Sequence, residues 1–242
     1  MCKFLSGIVF QTGELSTSQY TDSHESLIKW LNLDDSAPIQ TRTWIRVEFA
    51  PEDKVDYDKL NKYVFKVDEH QTPIWFNDEM REHIIQEMTK IIKASIVDSD
   101  KKILLGGKWI LTGKCKIESV ENSIIVWMGG SSSVKVMRGS SSVNEMWGSS
   151  SVKVMRGSSS VNEMWGSSSV KEMRESSSVN EMWGSSSVNE MRESSSVNEM
   201  WGSSSVNEMR ESSSVNEMRE SSSVNEMWGS SSITKDNRIK KS

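Results

Sequence analysis

The sequence is poor in most of what a compact enzyme or a membrane protein is built from. It holds two cysteines in 242 residues, Cys2 and Cys115. Two thiols make no disulfide framework, and they are expected to stay reduced in a cytoplasm. Nothing approaches the ~20 apolar residues of a membrane span, so no membrane association is expected. The apolar stretch from Phe4 to Phe10 is broken by Ser6 and Gly7. It leads into a turn-like Gln11-Thr12-Gly13-Glu14 with no small-residue cleavage site, so it reads as a first strand and not as a signal peptide.

Positive charge is not in excess either. The net charge is −5, distributed as −4 over residues 1–128, −4 over 129–233 and +3 over 234–242. A general grip on nucleic acid by phosphate neutralisation is therefore not expected. Only three histidines are present: His24, His70 and His83. His83 and Glu87 stand four apart on a predicted helix, a spacing that can hold a metal, but no second histidine joins them. They read as a solvated face, His24 as a surface residue in a first helical turn, and Asp68-Glu69-His70 and Glu52-Asp53 as polar loops. There is no glycine-rich phosphate loop, nucleophile elbow or Cys/His cluster. No catalytic residue, metal or cofactor is predicted, and an enzyme would have to keep its site within residues 1–97.

What the chain does have is one nine-residue phrase, repeated from Ser131 to Ser232: Ser-Ser-Ser-Val-Asn-Glu-Met-Trp-Gly or a close variant. Valine recurs at every ninth position from Val134 to Val224, and Ile233 closes the series. Methionine recurs three places later, from Met137 to Met227. A fixed short period with apolar residues in constant phase means a stacked rod. The residue after each methionine sets the true period. It alternates Arg138, Trp147, Arg156, Trp165, Arg174, Trp183, Arg192, Trp201 and Arg210, and then breaks with Arg219 and Trp228. Two units per coil therefore stack Trp147, Trp165, Trp183 and Trp201 in one column and the arginines in another. The last coil exchanges them.

Strand alternation sends Val and the middle Ser inward. A turn at Asn-Glu would then bring Met inward and Trp or Arg outward. The buried serine hydroxyls are expected to bond to one another or to backbone. Glycine follows every Trp of the array, which would give the indole room to lie flat. Glu175, Glu193, Glu211 and Glu220 follow arginines instead, and are read as charge partners for them. Because Glu tolerates positive φ poorly, this corner is not expected to be left-handed. Glu145, Glu163, Glu181 and Glu199 form a column beside the tryptophans, which makes that face aromatic and negative. About six coils at ~4.8 Å each give a rod of roughly 30 Å. Single coils are not stable alone, so the rod needs caps.

Residues 1–97 read as a small α+β domain. A hairpin over 2–10 and 15–20 precedes a short helix capped by Ser23, strands follow over 43–49 and 63–67, and a longer helix opens at Thr72-Pro73. Ile84, Ile85, Met88, Ile91 and Ile92 form its apolar stripe. Residues 98–130 are a transition and N-terminal cap coils, in which Ile117, Val120, Ile125 and Met128 anticipate the repeat and coils are expected to begin near Ile103. Residues 131–233 are the β-solenoid, and 234–242 a polar, basic cap.

The array, preceded by Lys3-Phe4-Leu5, Thr21-Asp22-Ser23-His24-Glu25, Lys66-Val67-Asp68-Glu69 and Thr72-Pro73-x-Trp75-Phe76, resembles a family found in bacteria, phages and mobile elements. That family brings no assigned activity, so the resemblance implies an origin and no chemistry. The function expected from the residues is a non-catalytic binding or structural module. Its exposed ladder is Trp147, Trp165, Trp183, Trp201 and Trp228 with Glu145, Glu163, Glu181 and Glu199, and with Arg138, Arg156, Arg174 and Arg192. Its partner would be a protein or a glycan. Alternatives are a nucleic-acid mimic directed at a DNA-binding enzyme, a carbohydrate- or surface-binding adhesin, and an enzyme within residues 1–97.

Overall fold

The computed structural model describes residues 5–21 and 23–238. Cys2, the start of the predicted hairpin and the last four residues of the basic tail lie outside the described residues. The chain forms two units, Met1–Ile96 and Val97–Ser242.

The first unit is built on a four-stranded antiparallel sheet. Its strands are β1 (Leu5–Phe10), β2 (Leu15–Thr17), β3 (Trp44–Pro51) and β4 (Tyr63–Val67), in the order β2-β1-β3-β4. Alternation in β3 sends Ile45, Val47 and Phe49 inward. Helix α1 (His24–Trp30) starts where Ser23 accepts the amide of Ser26, as expected. Helix α2 (Asp78–Ser95) does not open at Thr72-Pro73. Pro73 instead accepts the amide of Phe76 in a turn, and Asn77 caps the helix by accepting from Met80. An Asn with acidic Asp78 and Glu79 behind it is the stronger start. Its buried stripe is Ile84, Met88 and Ile92, while Ile91 is exposed.

The second unit is the β-solenoid. Successive strands alternate between two parallel sheets. One has eight strands, from Lys101–Leu105 through Lys116–Glu121 and Ser133–Arg138 to Ser223–Met227. The other has nine, from Ile96–Val97 and Lys108–Leu111 to Ser232–Arg238. Val134 pairs in register with Val152, and Val152 with Val170, so each coil holds two nine-residue units. The transition segment already coils: Ile117 lies beside Val134, Val120 beside Met137, Ile125 beside Val143 and Met128 beside Met146. This adds turns beyond the six expected from the repeats, giving about eight and a rod of roughly 35–40 Å at the ladder spacing. Residues 234–238 are not a separate cap. They extend the last rung, with Lys235 opposite Glu217 and Arg238 opposite Glu220.

Val and Met of the successive coils join one continuous core. No turn separates them. The strand runs unbroken from the third Ser to Met, as in Ser160–Met164. The pairing keeps its register along the strand, with Ser160 beside Ser178, Val161 beside Val179 and Glu163 beside Glu181. Val161 and Met164 are both buried although they stand three apart, with Asn162 exposed and Glu163 half-buried between them, so the strand departs from strict alternation. The middle serines are buried as expected, but the hydroxyls of nine of them, among them Ser150, Ser159 and Ser168, have no hydrogen-bond partner among the described residues. Copies a ladder spacing apart, ~4.8 Å, are too distant to bond one another. Ser141 differs: its hydroxyl donates to the carbonyls of Val120 at 3.1 Å and Arg138 at 2.6 Å.

The corner after Trp or Arg is left-handed in every coil of the array, contrary to expectation. Gly148, Gly166, Gly184 and Gly202 have φ of 67–68° or 69°, and Glu175, Glu193 and Glu211 have φ of 58°. For a non-glycine residue this costs about 1 kcal/mol. Three of the glutamates recover a contact. Glu175 accepts the amide of Gly157 at 2.8 Å, Glu211 that of Glu193 at 2.9 Å, and Glu220 that of Gly202 at 2.7 Å. These side chains therefore bind the backbone of the preceding coil and not the arginines. Nor does glycine make room for the indole: a Cβ at Gly148 or Gly166 would meet the backbone of the glycine one coil earlier, at 3.0 and 3.3 Å.

Two pairs of substitutions, compared by thermal or chemical denaturation, separate these contributions. Ser168→Ala removes an unpartnered buried hydroxyl and should be neutral or stabilising by up to about 1 kcal/mol, whereas Ser141→Ala should cost about 1 kcal/mol. Glu193→Gly relieves the corner without losing a carboxylate contact and should stabilise by about 0.5–1 kcal/mol. Glu211→Gly leaves the Glu193 amide without its acceptor and should gain less.

Candidate interaction surface

The exposed columns are laid out by the strand register. Trp147, Trp165, Trp183 and Trp201 stack with ring centroids 5.1, 5.1 and 4.9 Å apart and planes within 8° of parallel. This is offset stacking imposed by the strand spacing. The four indoles are half-buried. Each Nε1–H donates to the carboxylate two residues earlier: Trp147 to Glu145, Trp165 to Glu163 and Trp183 to Glu181 at 2.9 Å, and Trp201 to Glu199 at 3.0 Å. The glutamate column is thus the hydrogen-bonded support of the tryptophans, and its carboxylates lean on indoles.

The exchange in the last coil ends the stack as the sequence indicates. Arg219 takes the next place, its guanidinium carbon 4.2 Å from the Trp201 ring centre, a cation–π contact. Trp228 follows the arginine column, its amide bonded to the carbonyl of Met209, and it is 59% exposed. In the coil before Trp147 a residue that the repeat pattern does not flag stands in the register of Glu145: Trp127, whose ring lies over Gly129, where a Cβ would meet it at 1.8 Å.

The arginine column divides in two. Arg174, Arg192 and Arg210 each pair with the glutamate two residues earlier, Glu172, Glu190 and Glu208, at 2.5–2.6 Å, as Arg219 in the tryptophan column does with Glu217. Arg192 and Arg210 also reach the glutamate of the preceding coil. Hydrogen bonds to Glu217 from Arg219, and then from Asn237, hold its carboxyl below the ordinary range. Arg138 and Arg156 have Val136 and Val154 in the place of that glutamate. Asparagines add further ladders: Asn198 donates to Asn180, Asn216 to Asn198, and Asn225 to Asn207. Stacked amides of this kind strengthen parallel in-register sheets.

In the first unit, His24 is not on the surface. It is 2% exposed, with Nδ1 3.1 Å from Asp68 Oδ2 and Nε2 3.1 Å from the Val47 carbonyl. His24, Glu48 and Asp68 bring ligand atoms within 4.8 Å of one another, the one such metal-competent group among the described residues. The carbonyl can only accept, so Nε2 donates to it, and a metal would have to displace the Asp68 contact at Nδ1. As it stands, the histidine fastens α1 to β3 and to the loop after β4. Glu69 of the same Asp68-Glu69-His70 loop pairs with Arg42 and Arg46, whose guanidiniums lie over Trp44. His83 and Glu87 are not brought together into a site: Glu87 pairs with Lys90, and His83 lines a shallow pocket with Gly13 and Met80. Glu52 and Asp53 lie in the loop after β3, where Asp53 caps a short turn by accepting from Val55. Exposed Tyr20 and Trp30 line a groove of about 380 Å³ that isolated aromatics in the sequence do not signal. Burial pushes the thiol of Cys115 up. No described helix is long and apolar enough to cross a membrane.

No family model, curated protein or solved structure matches this chain.

Denaturation separates the stacked indoles from the one outside the stack. Trp165→Ala should cost about 1–3 kcal/mol, since it removes two ring contacts and leaves Glu163 without its indole donor. Trp228→Ala, exposed and outside the stack, should cost less than Trp165→Ala.

Proposed function

We propose that this chain is a non-catalytic binding module that presents a regular Trp/Glu and Arg/Glu ladder on a rigid rod to a protein or glycan partner. The observation that carries this is the Trp147–Trp201 stack, whose indoles are held parallel and fixed in rotation by their glutamates. Such a face loses little conformational entropy on binding, which is what makes rigid aromatics effective in recognition. The mimicry of nucleic acid by the carboxylate column is the weaker reading, because those carboxylates keep their charge but are buried or half-buried against the indoles and do not project from the rod. On the resemblance of the array we place its origin with phages or mobile elements, and on the free buried thiol of Cys115 we place it in a reducing compartment.

Two deletions test the proposal against whatever partner the full chain captures from a host lysate. Removing residues 149–166 takes out one coil and joins Gly148 to Ser167, the junction that the array already uses. The columns keep their sides, and binding should persist, weakened in proportion to the lost coil. Removing residues 149–157 moves Trp165, Trp183 and Trp201 into the Arg column while Val and Met still face inward, and binding should be lost. Equal capture by both deletions would show that the Trp column is packing alone and would move the search to residues 1–97.

A further inference from the structure

The array departs from its own repeat in one place. At the position after Val, the eight-stranded sheet carries Asn189, Asn207 and Asn225 in its later coils but Lys135, Lys153 and Lys171 in its earlier ones. At the next position it carries Glu172, Glu190 and Glu208 later but Val136 and Val154 earlier. The two changes exchange an amide ladder for a column of cations and remove the carboxylates that neutralise the arginines. Among the described residues, Lys153, Lys171, Arg138 and Arg156 have no ion-pair partner, and Lys135 has only the exposed Glu118, at 2.6 Å. Glu121 lies opposite Arg138 in the register and closes the strip at its N-terminal end.

Like charges stacked at the ladder spacing repel, whereas the asparagines of the later coils carry no charge and Asn225 donates to Asn207 at 3.0 Å. The substitution therefore weakens the rod, and it is concentrated on one strip. The lysines of that strip line a groove of about 350 Å³ that runs across successive coils, together with Ser133, Ser151, Ser169, Lys116 and one carboxylate, Glu118. Val136 and Val154, half-buried, and Arg138 and Arg156 follow the lysines along the strands and lie outside its lining.

We propose that this groove binds a linear acidic polysaccharide lying along the rod axis. This rests on the reading of the rod as a binding module, but it uses the sheet that does not carry the tryptophan stack. The lysines that line it would take the carboxylates that recur along the polymer, and the serine hydroxyls the sugar hydroxyls. Arg138 and Arg156, beside the groove, add to its positive charge. A nucleic acid strand is the poorer occupant, because no aromatic side chain stands among these cations to stack its bases. The chain as a whole is also acidic.

The repeat supplies its own control. Lys135→Asn, Lys153→Asn and Lys171→Asn with Val136→Glu and Val154→Glu install the residues that later coils hold at the same register positions. The variant should therefore keep the β-type circular dichroism and melt no lower than the parent chain. The probes are an oligogalacturonate, a deoxythymidine oligonucleotide of equal charge and an uncharged cello-oligosaccharide, titrated by calorimetry at low and high salt. The oligogalacturonate should bind most tightly, weaken as salt rises, and lose roughly tenfold or more in the folded variant. Trp165→Ala should bind it as the parent does. No binding of the oligogalacturonate, equal binding by the variant, or equal or tighter binding of the oligonucleotide would each overturn the assignment. If the oligogalacturonate does not bind while the two deletions still differ in partner capture, this inference falls and the proposed function stands.

Discussion

Parallel in-register stacking is the constraint on which everything else in the rod depends. Each side chain has its own copy one coil above and one coil below, about 4.8 Å away. Only chemistry that tolerates its own image can fill a column. Valine and methionine pack on themselves and make the core. Asparagine bonds to itself, and tryptophan stacks on itself. Arginine repels its copy, so the later coils interleave it with glutamates that reach arginines of two coils. The middle serine survives because it is small, even though its hydroxyl finds no partner. The rod is a set of parallel tests of self-compatibility, most of them passed.

The same rule explains how much of the rod is legible without coordinates. The inward direction of Val, Met and middle Ser, the two-unit coil, the two outer columns and their exchange at Arg219 and Trp228 all depend on phase, and phase is visible in the sequence. Contacts between coils are not. The glutamates after arginine look like charge partners because they are adjacent in sequence, yet they bind backbone amides eighteen residues away. The left-handed corner is hidden for the same reason. Its cost is local, whereas the ladder that holds it is not, and a local preference yields when every neighbouring coil imposes the same turn. The irregularity inside each strand resembles a turn in the sequence, since alternation alone cannot place Val and Met on one side.

In the first unit the local signals mislead in the opposite direction. Pro73 has the form of a helix start, but Asn77 offers a better cap a few residues on. A first helical turn is usually wet, yet His24 is buried there. Its burial depends on Val47 and Asp68, which are distant in sequence. Nothing in a single sequence marks such a pairing.

A repeat also makes its exceptions informative, in a way that an ordinary domain does not. Any position of the array can be compared with its register-mates in the same molecule, under the same neighbours and the same spacing. Where the mates agree, packing suffices as the reason. Where they differ without gain to packing, packing is not the reason. The lysine column is such a place: the uncharged asparagines of the later coils, two of which bond to each other, have cations that repel as their register-mates in the earlier ones. The proposed anionic occupant is what would offset that repulsion. The tryptophan column is the opposite case, since its stacking and its glutamate supports already account for it structurally. The two faces therefore rest on different observations: the tryptophans on a surface that the rod already holds rigid, and the lysines on a charge that the rod itself does not balance.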